Sequence, residues 1–122
     1  MKDFERANAE TLRLAPQSAT IRCDSGDAYL RAVAGAKNLG QFAAARDAAQ
    51  RAVADYRQTT TLYPNNALYH AKLAVACRAV GDGKAFAEAA RTALRLDEIT
   101  PHSVKKLPSA LRTQLSQDLH NL

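Results

Sequence analysis

The sequence predicts an all-α fold, a right-handed stack of antiparallel helical hairpins with about six helices. The first observation is that the chain matches itself after a shift of 41 residues, which places Gly40 on Gly81 and Ala52 on Ala93. The second is that the matched positions are mostly Gly and Ala, whose small side chains let two helices approach closely. A fixed period built on small residues is typical of a helical repeat array.

The composition indicates one domain with a core of small side chains. The chain has 122 residues, of which 47% are hydrophobic and only 6% aromatic, so Ala must fill most of the interior. No apolar run approaches the roughly 18 residues that a membrane-spanning helix needs, and Met1 leads into charged residues rather than a signal peptide. We therefore expect a soluble segment without direct membrane insertion, in a compartment that the sequence leaves open.

The charge balance is mildly basic. Seventeen Lys and Arg against twelve Asp and Glu give a net charge of +5. The Arg residues are scattered and are not interleaved with aromatic side chains, whereas nucleic-acid interfaces combine a dense basic patch with stacking or base-reading groups. We expect no nucleic acid as partner. A basic helical nucleic-acid-binding domain remains an alternative, which steep salt dependence of affinity would reveal.

The first two predicted helices are separated by a polar loop. Segment 3–15 has apolar residues at helical spacing. Residues 16–26 are predicted as a loop in which Asp24 or Ser25 caps the next helix, because short side-chain oxygens accept hydrogen bonds from free backbone N–H groups. That second helix spans about 27–39.

The third predicted helix is long. Gly40 ends the helix before it, since Gly tolerates the left-handed backbone that closes a helix, and the third helix runs from Gln41 to about residue 60. The β-branched run Thr59-Thr60-Thr61 weakens its end, and the segment from Tyr63 to Asn66 makes the turn. Its predicted buried stripe consists of Phe42, Ala45, Ala49, Ala52, Val53 and Tyr56.

Three more predicted helices complete the chain. Segment 66–80 is the fourth helix, Gly81-Asp82-Gly83 breaks it, and 84–96 is the fifth, with Phe86 among its buried residues. The last helix, about 108–120, carries a narrow leucine stripe on an otherwise polar surface, which suits a lid over one end of a stack. The stripe consists of Leu107, Leu111, Leu115 and Leu119.

The order helix, Gly, helix, Pro resembles the tetratricopeptide repeat. In the clearest unit, residues 67–98, Gly81-Asp82 fits the family's turn and Ala93-Leu94 fits the end of its second helix, while Cys77 replaces an aromatic residue. The family period is about 34 residues. The 41-residue shift therefore adds about two helical turns, which we assign to the helix of residues 41–60.

This resemblance divides the single domain, residues 1–122, into four parts. Residues 3–15 are the orphan second helix of a partial repeat, 27–64 a repeat with a lengthened second helix, 66–98 a repeat, and 101–120 a capping helix. The resemblance implies a non-catalytic scaffold that binds a protein or peptide. Because the orphan helix lacks a first helix to pack on, we expect either N-terminal truncation or self-association through this helix.

A second resemblance concerns a longer parent protein. The stretch from Tyr63 to Ala74, the ending Leu94-Arg95-Leu96-Asp97 and the closing Lys105-Lys106-Leu107-Pro108 resemble the repeat tails of bacterial surface-polysaccharide ligases and polymerases of the O-antigen ligase type. In that alternative the chain is a soluble C-terminal tail, and the chemistry lies in the membrane part. Upstream apolar segments of about 20 residues would distinguish this alternative.

No catalytic, cofactor-binding or metal-ligating set stands out. Ser103 and Lys106 match the nucleophile motif Ser-x-x-Lys, but the rest of that constellation is missing. The three His residues are far apart and have no acidic residue at metal-ligand spacing. Cys77 is predicted as a core residue, and a disulfide with Cys23 stays open. We expect neither an enzyme nor a cofactor.

The candidate binding surface is the face that, by the resemblance, the first helices of the two full units share. Lys37 and Arg78 are equivalent under the 41-residue shift and would stand side by side, flanked by Arg31 and Lys72. An apolar floor with basic edges suits an extended peptide with an acidic end. The alternative is that these are solvated helix-end cations near the helix dipole. The predicted groove residues are Asp27, Leu30, Arg31, Ala34, Lys37, Leu68, Ala71, Lys72, Val75 and Arg78.

Overall fold

All regular secondary structure in the described part of the chain is α-helical. The structure, a computed structural model, describes residues 19–99 and 106–122. These ranges contain no strand, which confirms the all-α prediction for them, and the predicted helix at 3–15 lies outside them. The helices are α1 (Ala19–Asn38), α2 (Phe42–Leu62), α3 (Ala67–Val80), α4 (Gly83–Ile99) and α5 (Ser109–His120).

Helix α1 occupies most of the segment that the sequence assigns to a loop. The prediction of a loop over 16–26 is wrong for residues 19–26, which are helical. The physical reason is a contact with α2: the Ser25 hydroxyl donates to Asp55 Oδ2 at 2.5 Å, and the Gly26 backbone lies against the Tyr56 ring. Ser25 is therefore a buried helix–helix contact rather than a cap.

Two equivalent glycine turns end α1 and α3, as the self-match predicts. Gly40 has φ +73° and Gly81 has φ +90°, both in the left-handed region. The N–H of Gln41 bonds to the carbonyl of Ala36 at 2.8 Å, and the N–H of Asp82 bonds to that of Cys77 at 3.0 Å. Both are six-to-one hydrogen bonds of the Schellman type, which satisfy carbonyl groups at a helix end.

Helix α2 continues through its threonine run. The Thr59 hydroxyl donates to the carbonyl of Asp55 at 2.9 Å, and the hydroxyls of Thr60 and Thr61 donate to that of Arg57 at 3.0 and 2.8 Å. The β-branched side chains bond back to the helix, and α2 ends at Leu62, two residues later than predicted. The Asn66 side chain then caps α3 by accepting from the N–H of Tyr69.

Side-chain and backbone contacts show that α1 and α2 run antiparallel, and likewise α4 and α5. In α1 and α2, Ser25 faces Asp55 and, four residues later, Tyr29 faces Arg51. In α4 and α5, Asp97 faces Leu107, and Gly83 faces the chain end at Leu122. Helix α1 also touches α3.

The core is built mainly from alanine. Tyr29, Tyr56 and Phe86 are the large aromatic side chains inside it. Because alanine presents little more than its Cβ, helix axes can approach closely where it lines both surfaces. The alanines with no exposed surface are Ala49, Ala52, Ala71, Ala74, Ala90 and Ala93, together with Ala76.

Phe42 does not belong to this core, so its predicted place on the buried stripe of α2 is wrong. Ala45, one turn later, is buried, whereas Phe42 is exposed. The antiparallel register explains the difference. Phe42 is the first residue of α2 and lies opposite the last turn of α1, so its ring stands at the edge of the helix pair and stays exposed.

Helix α5 is attached to α4 through Asp97. This buried carboxylate accepts the N–H of Leu107 at 2.6 Å, and its backbone carbonyl accepts from Lys106 Nζ at 2.8 Å. Its Oδ2 lies 3.1 Å from Arg112 Nη1 in an ion pair. Leu115 is buried, as the leucine stripe predicts. Among the described helices, none is long and apolar enough to cross a membrane.

Candidate functional site

The predicted site residues lie on α1 and α3, and one ion pair joins the two helices across this face. Lys72 Nζ lies 2.8 Å from Asp27 Oδ2 and 3.0 Å from Oδ1. The Tyr56 hydroxyl of α2 donates to Asp27 Oδ1 at 2.6 Å, and Lys72 Nζ also lies 3.5 Å from Cys23 Sγ. Three helices therefore meet at Asp27.

Burial and these contacts determine the protonation states of the cluster. Burial works against the charged form of Lys72, but the hydrogen bond and charge of Asp27 outweigh it and raise the pKa of the amine. Burial, reinforced by the hydrogen bond to Asp27, raises the pKa of Tyr56. Burial also raises the pKa of Cys23 despite the nearby Lys72. Because burial raises the pKa values of Tyr56 and Cys23, neither group is activated as a nucleophile, and the cluster joins three helices through its ion pair and hydrogen bonds.

Around this ion pair, most of the other predicted groove residues are exposed. Leu68 and Val75 on α3 are each 37% exposed, and Leu30 is half-buried against the core. Ala71 has no exposed surface. Its predicted place on the groove surface is therefore corrected, because its side chain is packed inside the core. The exposed groove residues of α1 are Arg31, Ala34 and Lys37.

Arg78, the last of the predicted groove residues, is engaged by α5. Its Nη1 forms an ion pair with Asp118 Oδ2, and its guanidinium lies 6.0 Å from the centre of the Phe86 ring. The Gln114 amide donates to both oxygens of Asp118, at 3.0 and 3.1 Å. These hydrogen bonds, first from Gln114 and then from Arg78, lower the pKa of Asp118. Arg78 thus already binds a carboxylate of this chain, and its side-by-side placement with Lys37 stays a prediction.

A second groove, which could not be predicted from the sequence, runs along α2 and α3, and only its larger cavity reaches α4. Two cavities of about 100 and 160 Å³ share Arg57 as part of their walls. Cys77 and Leu73 contribute to the floor, and Glu88 stands on the α4 side. The larger cavity exists because residues of α4 face α2 across α3. The sequence of α2 alone does not indicate which helix it will face.

The chemistry-bearing residues outside the grooves have structural roles. Lys106, one half of the Ser-x-x-Lys match, donates to a backbone carbonyl of α4, and Ser103 lies outside the described residues. His70 Nε2 bonds to the carbonyl of Pro64 at 2.7 Å. Within residues 19–99 and 106–122, no three His, Cys, Asp or Glu residues could hold a metal ion together. Both cysteines are free and buried, which confirms Cys77 as a core residue.

Comparison with protein-family models and with curated proteins finds no match to this sequence.

Proposed function

We propose that this chain is a non-catalytic interaction module, a scaffold of the tetratricopeptide type in which α1–α2 and α3–α4 stack as successive units. Three observations support this proposal. Gly40 and Gly81 make equivalent turns, the helix crossings are lined by alanine, and Asp27 of α1 pairs with Lys72 of α3. The Asp27–Lys72 ion pair is the kind of contact that we expect between the first helices, α1 and α3, of two neighbouring units.

The partner we propose is an extended peptide segment with an acidic end, bound on the α1–α3 face. The observation that carries this proposal is that Leu68 and Val75 leave apolar area exposed on α3. They are separated by seven residues, or about 10 Å along the helix. Arg31 and Lys37 on α1 make no ion pair with any described residue. Apolar side chains of the peptide would contact the leucine and valine, and its carboxylates would pair with the two cations.

Fluorescence anisotropy tests this proposal directly. The probes are fluorescein-labelled peptides of about ten residues that end either in Leu-Leu-Asp-Glu or in the uncharged Leu-Leu-Asn-Gln amide. We expect the acidic peptide to bind more tightly. Arg31→Glu/Lys37→Glu should weaken its binding by about tenfold or more. The matched control Arg91→Glu/Arg95→Glu makes the same charge change on α4 and should leave the affinity unchanged.

A third variant asks whether Arg78 takes part in binding. Asp118→Asn removes the carboxylate that Arg78 now holds, so the acidic peptide should bind this variant more tightly than the wild type. Equal affinities of the wild type and the α1 double variant would refute the proposed face. Equal weakening by the α1 and α4 double variants would show only a nonspecific charge effect.

A further inference from the structure

The tight turn between α1 and α2 carries two large apolar side chains in solvent. Leu39 is 74% exposed and Phe42 is 69% exposed, and only Gly40 and Gln41 separate them. Neither side chain is needed to form the turn, because its geometry follows from the left-handed Gly40 and from backbone hydrogen bonds at 2.8 and 3.0 Å. The exposure of the Phe42 ring and the Leu39 side chain at two neighbouring sites is therefore not explained by the turn itself, and paired exposed apolar side chains indicate an interaction surface.

The α3–α4 turn supplies an internal comparison, because the 41-residue shift relates it to the α1–α2 turn. It has the same left-handed glycine and the same six-to-one hydrogen bond. Val80, the equivalent of Leu39, is partly buried against the core, and Gly83 stands at the equivalent of Phe42. Two turns with one backbone geometry thus differ in what they expose, and only the first presents a pair of large apolar side chains.

Cations stand on both sides of this apolar pair. The ten residues from Lys37 to Arg46 include no Asp or Glu, and neither Lys37 nor Arg46 makes an ion pair with any described residue. At the α3–α4 turn the exposed cation Lys84 is balanced by the exposed Asp82, so the basic character of this surface comes from Lys37 and Arg46. Apolar side chains flanked by Lys or Arg match a lipid surface, where the side chains enter the headgroup boundary and the cations meet phosphate.

We propose that this end of the molecule binds an anionic lipid surface through Leu39 and Phe42, with Lys37 and Arg46 on the phosphate groups. The charge pattern favours this occupant over a second copy of the chain, whose own cations would face these. Such contact involves two side chains at a turn and differs from a spanning helix. It revises the sequence-based expectation of no direct membrane insertion, which followed from the absence of a long apolar run. Binding of this kind is weak and reversible, comparable to the roughly 10⁴ M⁻¹ of a single acyl chain.

Vesicle cosedimentation of the full chain tests the proposal. We expect binding to vesicles of phosphatidylcholine with about 30% phosphatidylglycerol, weaker binding to phosphatidylcholine alone, and loss of the difference in about 1 M salt. Lys37→Glu/Arg46→Glu should lower the partition coefficient by about 20-fold or more, at roughly fivefold per cation. Leu39→Ser/Phe42→Ser should lower it by about tenfold or more.

Matched controls lie elsewhere on the surface. Tyr63 and Ile99 are 56% and 71% exposed, and Tyr63 follows the opposite end of α2, about 30 Å from Phe42. Tyr63→Ser/Ile99→Ser should bind vesicles like the wild type, as should Arg91→Glu/Arg95→Glu. All the substituted side chains are exposed, so circular dichroism should report the same helix content in each variant, with a slightly lower unfolding midpoint only for Tyr63→Ser/Ile99→Ser, which loses the ring contact with Tyr69.

Two results would overturn the proposal. The first is wild-type binding to anionic vesicles that is no stronger than to phosphatidylcholine alone, or that the control variants reduce as much as the turn variants do. The second is light scattering that shows self-association abolished by Leu39→Ser/Phe42→Ser in a chain that does not sediment with vesicles. That outcome would identify a second copy of the chain as the occupant of this surface.

Discussion

Gly26 is the position where one added methyl group should do the most damage. A Cβ at this site would lie 2.6 Å from Tyr56 Cε1, 2.8 Å from Cζ and 2.9 Å from Cδ1, well inside the contact distance of about 3.5 Å between carbon atoms. The ring has no room to move aside. Tyr56 is fully buried, and its hydroxyl is bound to Asp27 at 2.6 Å.

The expected loss for Gly26→Ala follows from three contributions. Overpacking of a well-packed core costs about 1–3 kcal/mol, and distortion of the Tyr56–Asp27 hydrogen bond costs about 1 kcal/mol. The higher helix propensity of alanine offsets about 1 kcal/mol. We therefore expect the free energy of unfolding to fall by about 1–3 kcal/mol, measured by urea unfolding followed at the helical circular dichroism band.

Gly35, in the same helix, is the matched control. A Cβ there would meet nothing within 4 Å, so Gly35→Ala should gain about 0.5–1 kcal/mol from helix propensity alone. The same substitution should thus have opposite signs at two sites of α1. If Gly26→Ala is as stable as Gly35→Ala, the close approach of α1 to the Tyr56 ring is wrong, and the helical assignment of residues 19–26 loses its explanation.

Three further predictions concern the buried charges. Burial raises the pKa of Asp55, although the hydrogen bond from the Ser25 hydroxyl lowers it in part. The contribution of Asp55 to stability is therefore present in acid and is lost as the pH rises through its native pKa. Asp55→Asn should remove this pH dependence and raise stability at neutral pH, as urea unfolding at a series of pH values would show. Lys72→Met should lower the free energy of unfolding by about 1–2 kcal/mol, because it leaves Asp27 partly buried without its cation; an unchanged urea midpoint would contradict this. Asp97→Ala should lower the free energy of unfolding by about 2–3 kcal/mol and speed hydrogen exchange throughout α5. Asp118→Ala should change both quantities little. Equal effects of the two substitutions would contradict Asp97 as the main contact that holds α5 on α4.

Several elements could be predicted because their signal is local. Gly40 and Gly81 end helices through their own backbone freedom, and the leucine stripe of α5 is visible as a spacing. Each of these features depends on residues within a few positions of one another. The structure accordingly confirms the two turns and the burial of Leu115.

The errors concern residues whose environment is set by another helix. Ser25 is of a residue type that often caps helices, but its hydrogen-bond partner Asp55 lies 30 residues away in the sequence. Phe42 continues an apolar period, but the period does not reveal where α1 stops. For Arg78 the groove placement stays a prediction, but its carboxylate partner Asp118 is on a helix that the repeat pattern does not relate to it.

The order in which helices contact one another has a consequence for folding kinetics. Each described helix packs mainly on a helix next to it in the chain, so most native contacts close short loops and the topology has low contact order. Such topologies fold in microseconds to milliseconds. Because each helix is stabilised mainly by its neighbours in the chain, the free energy of local unfolding also differs from one helix to another. The α1–α2 pair, joined by Ser25–Asp55 and Asp27–Tyr56, is suited to act as the nucleus on which α3 and α4 assemble.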